Sequence, residues 1–280
     1  MTGTAQAETE RTGAADAVAS TPAPDAALVT LTMDGAVAVA TMRYAPHNFL
    51  NMELLDALVA AARGAVAQGA RAMVVRSGLR NFCAGADVRL FESSQRGEAP
   101  TGDLTTLLST FDELPIPILA SVNGVCIGGG LELALACDLI VAAESAKIGS
   151  IEASVGLNPL MGGIQRVTQR AGAARAKEMA LLGRRYDAAT MARWNIINWV
   201  VPDEQLVDVT ATIAQELAHG PTVAHASTKA LVSHAVEHGV RATDEAMHEL
   251  QRDIWRSEDL KIGLASLQAE GPGAARFEGR

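Results

Sequence analysis

Along residues 28–42 apolar and small residues alternate on both sides of Asp34-Gly35. A period of two predicts strands with one face buried. An Asp-Gly pair between two such runs predicts a hairpin, because glycine accepts the positive φ of the turn. From Leu54 the period changes. Leu54, Leu55, Leu58, Val59, Ala62 and Val66 recur at the spacing of a helix face, with Asn51 placed to cap it. Residues 72–75 predict a short buried strand, and a second helix is expected to begin near Asp87. Residues 93–102 are polar with Gly and Pro, the composition of a mobile loop. A helix over 103–114 should stop at Pro115, followed by a strand over 116–122, a loop over 123–127, a helix from Gly128 and a buried strand over 139–143.

From Gly162 onward the pattern is almost entirely helical, with amphipathic segments near 162–172, 173–182, 187–194, 203–218, 221–237 and 243–269. The chain therefore divides into an α/β half and a helical half. Residues 1–27 stand apart. They are built from Ala, Thr, Gly, Glu, Asp and Pro, and Val18 is their single β-branched aliphatic residue, so they are expected to form a disordered tail.

Composition narrows the functional classes. A chain of 280 residues, 49% hydrophobic, can bury about three-quarters of its unfolded surface, so its core needs no staples. The 23 basic and 32 acidic residues leave a net charge of −9. No basic run is present, which argues against a nucleic-acid partner and leaves room for a small phosphorylated ligand. Cys83, Cys126 and Cys137 have neither a disulfide framework nor a zinc spacing; they read as small buried residues in a reducing cytoplasm. No apolar run approaches the ~18 residues of a membrane helix, so no membrane partner is expected. The first residues also lack the basic start and apolar stretch of a signal peptide.

Two glycine-containing segments carry candidate chemistry. In residues 81–87, Asn-Phe-Cys-Ala-Gly-Ala-Asp, small side chains would let backbone N–H groups approach a ligand, although an ordinary strand-to-helix connection has the same composition. In residues 123–132 the run Gly128-Gly129-Gly130 opens a helix, where each glycine costs roughly 0.5–1 kcal/mol relative to alanine. Bare backbone is needed there either for tight packing or for binding an anion or oxyanion. The segment is not a P-loop, because no Gly-Lys-Ser/Thr follows.

Glu132 falls in the first turn of that helix, between Leu131 and Leu133. A glutamate there complements the helix dipole; if buried, its pKa would rise toward the range useful for proton transfer. Glu152 is a second acid among small and apolar residues, and spacing alone cannot bring the two together. His234-Ala-Val-Glu-His238 spells an inverted zinc-hydrolase motif, but it lies among surface-patterned helices and reads as a solvated face.

Together these segments resemble the crotonase family, also called the enoyl-CoA hydratase/isomerase superfamily. Residues 82–88 resemble its first acyl-CoA motif and residues 123–139 its second. The third is residues 146–152, continuing through Gly156-Leu157-Asn158-Pro159 to Gly162-Gly163-Ile164-Gln165-Arg166. Order and spacing match across roughly residues 28–277.

The resemblance implies an α/β fold, a crotonase-like spiral of ββα units over residues 28–200, with a helical oligomerisation region over 201–280. It implies trimers or dimers of trimers and an acyl-CoA thioester substrate. By position, the N–H groups of Ala86 and Gly129 would form an oxyanion hole. Backbone around Ala84, Asp87 and Val88 would contact the adenine and pantetheine portions of CoA, and Arg43 its phosphates. Glu132 would activate water and Glu152 would protonate C2, with no metal or redox cofactor. The resemblance therefore implies an enoyl-CoA hydratase, with an isomerase of the same family or a catalytically silent acyl-CoA-binding oligomer as alternatives. Leu160, Met161 and Ile164 depart from the family pattern beside Glu152 and are expected to reshape the acyl pocket. Asn195 stands where the family commonly has glycine, and asparagine tolerates left-handed backbone.

Overall fold

The computed structural model describes residues 27–97 and 103–280. The tail expected over residues 1–27 lies outside the described residues except for its last position. Strands β1 (Val29–Asp34) and β2 (Val37–Met42) form the antiparallel hairpin, with Asp34 opposite Val37. The two turn residues are Gly35 and Ala36, so Asp34 closes the first strand and Gly35, at φ 59°, opens the turn. Helix α1 (Met52–Ala67) starts at Asn51, whose side chain accepts from the Leu54 N–H at 2.8 Å.

Strand β3 (Ala72–Ser77) pairs in parallel with β2. Helix α2 (Thr106–Glu113) leads to β4 (Ile118–Val122), the short β5 (Val125–Ile127), α3 (Gly129–Ala136), β6 (Leu139–Ala143) and β7 (Lys147–Gly149). The expected helix near Asp87 is a 3-10 helix, Val88–Arg96. It takes in the first part of the expected 93–102 loop, whose last residues, 98–102, lie outside the described residues.

The second half is less uniformly helical than its pattern suggests. Helices α4 (Gly163–Leu182) and α5 (Ala188–Arg193) enclose the two-residue β8 (Tyr186–Asp187), and β9 (Trp199–Val201) follows. Both strands are too short to leave a periodic signal. Then come α6 (Leu206–His219), α7 (Thr222–His238), α8 (Val240–Leu250) and α9 (Glu258–Glu270). The expected continuous helix over 243–269 is broken by a 3-10 turn at Ile254–Arg256 before Ser257 caps α9.

A six-stranded sheet runs β1-β2-β3-β4-β6-β9, and a three-stranded one β5-β7-β8. The large sheet is covered on both faces, which is why its inner strands read as continuous apolar runs. Ala38, Ala40, Met42, Met73 and Val75 face the main core with α1, α2 and α3. Val37, Val74 and Leu119 face the other way, against Ala214 and Ala218 of α6. Helix α6 thus completes the α/β layer, although it follows residue 200. Among the described residues, no helix is long and apolar enough to cross a membrane.

Candidate active site

The site is built on a loop-to-loop ladder. After β2, residues 47–50 run alongside residues 84–87: Ala84 N–H donates to His47 O, Leu50 N–H to Gly85 O at 2.8 Å, and Asp87 N–H to Leu50 O at 2.7 Å. This parallel bridge leaves the intervening Ala86 N–H pointing away from Leu50. A second bridge, Cys83 with Cys126, ties the same segment to β5 and so to the start of α3.

The three glycines at that start answer three different needs. Gly128 has φ 55°, a backbone position side chains rarely adopt. At Gly130 a Cβ would collide with the carbonyl oxygen of Cys83. At Gly129 a Cβ would sit 3.6 Å from Ala86 N. The N–H of Gly129 opens α3, where no intrahelical acceptor exists. Among the described hydrogen bonds, neither it nor the Ala86 N–H has a protein acceptor. Two unpaired donors therefore stand side by side at a helix N-terminus. Packing accounts for Gly130, whereas Gly129 presents an N–H without a protein acceptor among the described hydrogen bonds.

These donors open onto a cavity of about 710 Å³. Glu132, one turn into α3, lies on its wall and is 4% exposed. One of its oxygens, Oε1, accepts from Met161 N–H at 2.7 Å and Gly163 N–H at 2.9 Å. Burial raises its pKa to about 7; the two N–H donors oppose that rise and the charge of Glu152 adds to it. Glu152 opens the 3-10 turn Glu152–Val155 and lines the same cavity. Its Oε2 accepts from Ser150 Oγ at 2.7 Å, while Oε1 is buried without a protein partner. Apart from Glu92 and Asn158, the remaining walls are apolar or backbone, among them Phe49, Leu55, Phe91, Leu104, Leu157 and Leu160.

Residues 32–272 match the enoyl-CoA hydratase/isomerase family. This chain belongs to that family. A carnitinyl-CoA dehydratase of Proteus mirabilis (strain HI4320) is 35% identical over 204 residues, 71% of this chain and 74% of the relative. A probable enoyl-CoA hydratase of Rhizobium meliloti (strain 1021) is 32% identical over 227 residues, 80% and 87% of the two chains. The solved enoyl-CoA hydratase of Bacillus anthracis superposes with a TM-score of 0.80 at 25% identity, covering 90% of this chain and all of that one. The fold is the crotonase-like spiral.

Not every residue suggested by the hydratase/isomerase resemblance reaches the cavity. Ala84, Ala86, Val88, Gly129, Glu132 and Glu152 line it. Asp87 does not: its N–H goes to Leu50, its carbonyl accepts from Leu90, and its carboxylate pairs with Arg89 at 2.6 Å. The Arg89 donors hold the Asp87 carboxyl below its ordinary pKa. Arg43 also lies off the wall, exposed, with its guanidinium packed against Gly78.

Of the departures from the hydratase/isomerase pattern, Leu160 and Met161 both line the cavity, and Met161 also contributes a backbone N–H to Glu132, which any residue but proline supplies. Asn195 adopts φ 60°, so the expected turn is kept. His234 and His238 stack at 4.3 Å, and the Nδ1 of His234 is bonded to Thr243. Among the described residues, no cluster of three His, Cys, Asp or Glu is arranged to hold a metal.

Two residues of this family member escaped sequence reasoning. Asn48 is fully buried between the two loops, and Ser150 bonds Glu152. Polar residues buried in loops follow no period; only the improbability of leaving them unpaired marks them.

Proposed function

We propose that this chain is an enoyl-CoA hydratase, a lyase that adds water across the 2,3 double bond of an enoyl-CoA thioester. One observation carries the reading: Glu132 and Glu152 line the same cavity as the unpaired N–H groups of Ala86 and Gly129. The thioester oxygen accepts from those two donors, and the two carboxyl groups hold one water. Glu132 takes a proton from that water as its oxygen bonds to C3. The π pair of the double bond then forms the new C2–H bond with a proton that Glu152 carries into the step, and the proton gained by Glu132 passes back to Glu152 to restore the pair. Charge builds on the thioester oxygen during addition, and each preorganised donor in a water-poor site contributes about 2.7–4 kcal/mol to its stabilisation. With a pKa of about 7, Glu132 is both substantially ionised and basic at neutral pH. Because carboxylates and N–H donors supply the chemistry, no metal or redox cofactor enters it.

In this reading the pantetheine and adenine portions run along the backbone around Ala84, Asp87 and Val88, and the exposed Arg43 meets the CoA phosphates. The subunits assemble as a trimer or a dimer of trimers. Leu181, Val232, Val240 and Trp255 support that assembly, being large apolar side chains exposed on the helical half of the chain. Sedimentation equilibrium tests it.

The activity is tested by offering 2-enoyl-CoA thioesters of increasing length, crotonyl-CoA first, and following loss of the enoyl absorbance. Hydration to a 3-hydroxyacyl-CoA is expected. Conversion of a 3-enoyl-CoA to the 2-enoyl isomer without a hydroxylated product would make the chain an isomerase. Tight acyl-CoA binding with neither reaction would make it a silent binder.

A further inference from the structure

We propose that Ser150 is a positioning residue of this site: it sets the orientation of the Glu152 carboxylate and leaves Oε1 as the oxygen that exchanges a proton with the substrate. The inference rests on the hydratase reading in one respect, that Glu152 moves a proton at C2.

Ser150 is 5% exposed and borders a small void behind both carboxylates. The other walls include Leu131, Ile164, Val167 and Met179, none of which can bond a hydroxyl. Burying a hydroxyl in such surroundings is costly unless it finds a partner. Among the described residues, its one partner is Glu152, whose Oε2 it reaches at 2.7 Å. An ordinary packing position among these residues would favour alanine or valine. A serine there serves the carboxylate.

The hydroxyl also projects from a fixed place. Gly128 N–H donates to Gly149 O at 2.9 Å, and the carbonyl oxygen of Arg184 occupies the space a Cβ at Gly149 would need. Ser150 follows directly on this clamped strand end, and Gly128 precedes the Gly129 N–H. One frame thus holds both the donor facing the thioester oxygen and the hydroxyl that holds Glu152.

The last torsion of a glutamate is broad, so an unrestrained carboxylate exchanges its two oxygens freely. With Oε2 engaged by Ser150, that rotation is stopped. The other oxygen, Oε1, stays buried and unpaired, 3.5 Å from where a Cβ at Gly128 would lie. A buried carboxylate oxygen left without a partner calls for an explanation outside the fold. Proton exchange with C2 supplies it.

The test uses Ser150→Ala and Ser150→Thr in the full chain, on the 2-enoyl-CoA that the wild type turns over fastest. Ser150→Ala is expected to lower kcat by about 10- to 100-fold, the scale of a misplaced reacting group, with KM changed less than threefold. Exchange of the C2 protons of butyryl-CoA with D2O, followed by NMR, should slow by a similar factor, because it needs Glu152 but no added water. Ser150→Thr keeps the hydroxyl and should recover most of both rates. In a Glu152→Gln background, Ser150→Ala should cost nothing further. Near-normal kcat and exchange in Ser150→Ala, alongside a severe Glu152→Gln, would overturn the positioning role and leave the hydratase reading intact. An equal loss in both backgrounds would assign Ser150 to packing instead. A silent Glu152→Gln would overturn the hydratase mechanism, and this inference with it.

Discussion

Asn48 reaches from the loop after β2 to the carbonyl oxygen of Phe82, donating through Nδ2 at 3.0 Å. The same amide donates to Ser77 Oγ at 2.8 Å, and its Oδ1 accepts from Tyr44 N–H at 2.8 Å. The residue is fully buried with φ 52°, a conformation asparagine tolerates better than most. It therefore fixes two loops in register, and two residues on, Leu50 bridges to Ala86. A buried amide that does not line the cavity thereby sets the direction of the Ala86 N–H.

Asn48→Ala removes these bonds and places a Cβ residue without a compensating side chain at positive φ. A loss of about 2–3 kcal/mol is expected, since buried groups are left unpaired. Asn48→Gly tolerates the φ but loses the same bonds, so it should fall between alanine and wild type. Denaturant unfolding of the three proteins checks the order. A wild-type midpoint for Asn48→Ala would show that the ladder holds without this residue.

Gly129 and Gly130 should respond in opposite ways. A Cβ at 130 meets the backbone of Cys83, which cannot rotate aside, so Gly130→Ala should lose about 1–3 kcal/mol, the usual cost of overpacking. A Cβ at 129 meets Leu50 Cδ1 at 2.9 Å, the movable end of a side chain. Gly129→Pro goes further: it keeps the first helical position, where proline is tolerated, and deletes the donor. Its expected signature is a folded protein with turnover lost. Melting temperature and kcat measured on both variants separate packing from oxyanion binding; a folded Gly129→Pro with near-normal kcat removes Gly129 from the hole.

How far the sequence could be read depends on what makes a residue periodic. The hairpin and α1 stand where alternation and the 3.6-residue period put them, and the strand at Leu139–Ala143 where a continuous apolar run puts it, because each is buried over several residues. Strands β5, β7 and β8 have two or three residues each, too few to show a period, and they are the ones that hold α3 and Glu152 in place. For the site, Glu132 could be read from its apolar neighbours. Its meeting with Glu152 could not, since that depends on the crossing of α3 with the turn after β7. Position along the chain likewise does not show that the Arg43 side chain packs against Gly78 or that the Asp87 carboxylate pairs with Arg89.

The raised pKa of Glu132 has a sign that stability measurements can read. A carboxyl whose folded pKa rises from 4.5 to about 7 binds its proton more tightly in the folded state. Its contribution is fully present below about pH 4.5 and is lost as pH climbs through about 7. Glu132→Gln removes that loss and keeps an oxygen for the Met161 and Gly163 N–H groups. The variant should therefore be more stable than wild type at pH 8, by about 3 kcal/mol at 1.36 kcal/mol per pKa unit, and the advantage should shrink toward pH 5. A difference independent of pH would mean that Glu132 is not held protonated by burial. In activity the same group should appear as a fall of kcat/KM below about pH 7 that Glu132→Gln abolishes.

The two glutamates give the sharpest comparison. If they share one water, Glu132→Gln and Glu152→Gln should each lower hydratase kcat by at least ~10²-fold, the scale of a positioned acid–base group. The Kd for a saturated acyl-CoA should change far less, because Ala84, Ala86, Val88 and Gly129, which line the same cavity, are untouched. The double variant should be scarcely worse than either single one, since groups acting as a unit are not additive. An isomerase needs one proton-shuttling carboxylate, so one substitution would be severe and the other mild. Melting curves first establish that all three variants fold. Stopped-flow loss of enoyl absorbance then gives kcat, and two single variants that both hydrate at near the wild-type rate would remove the paired-carboxylate mechanism from this chain.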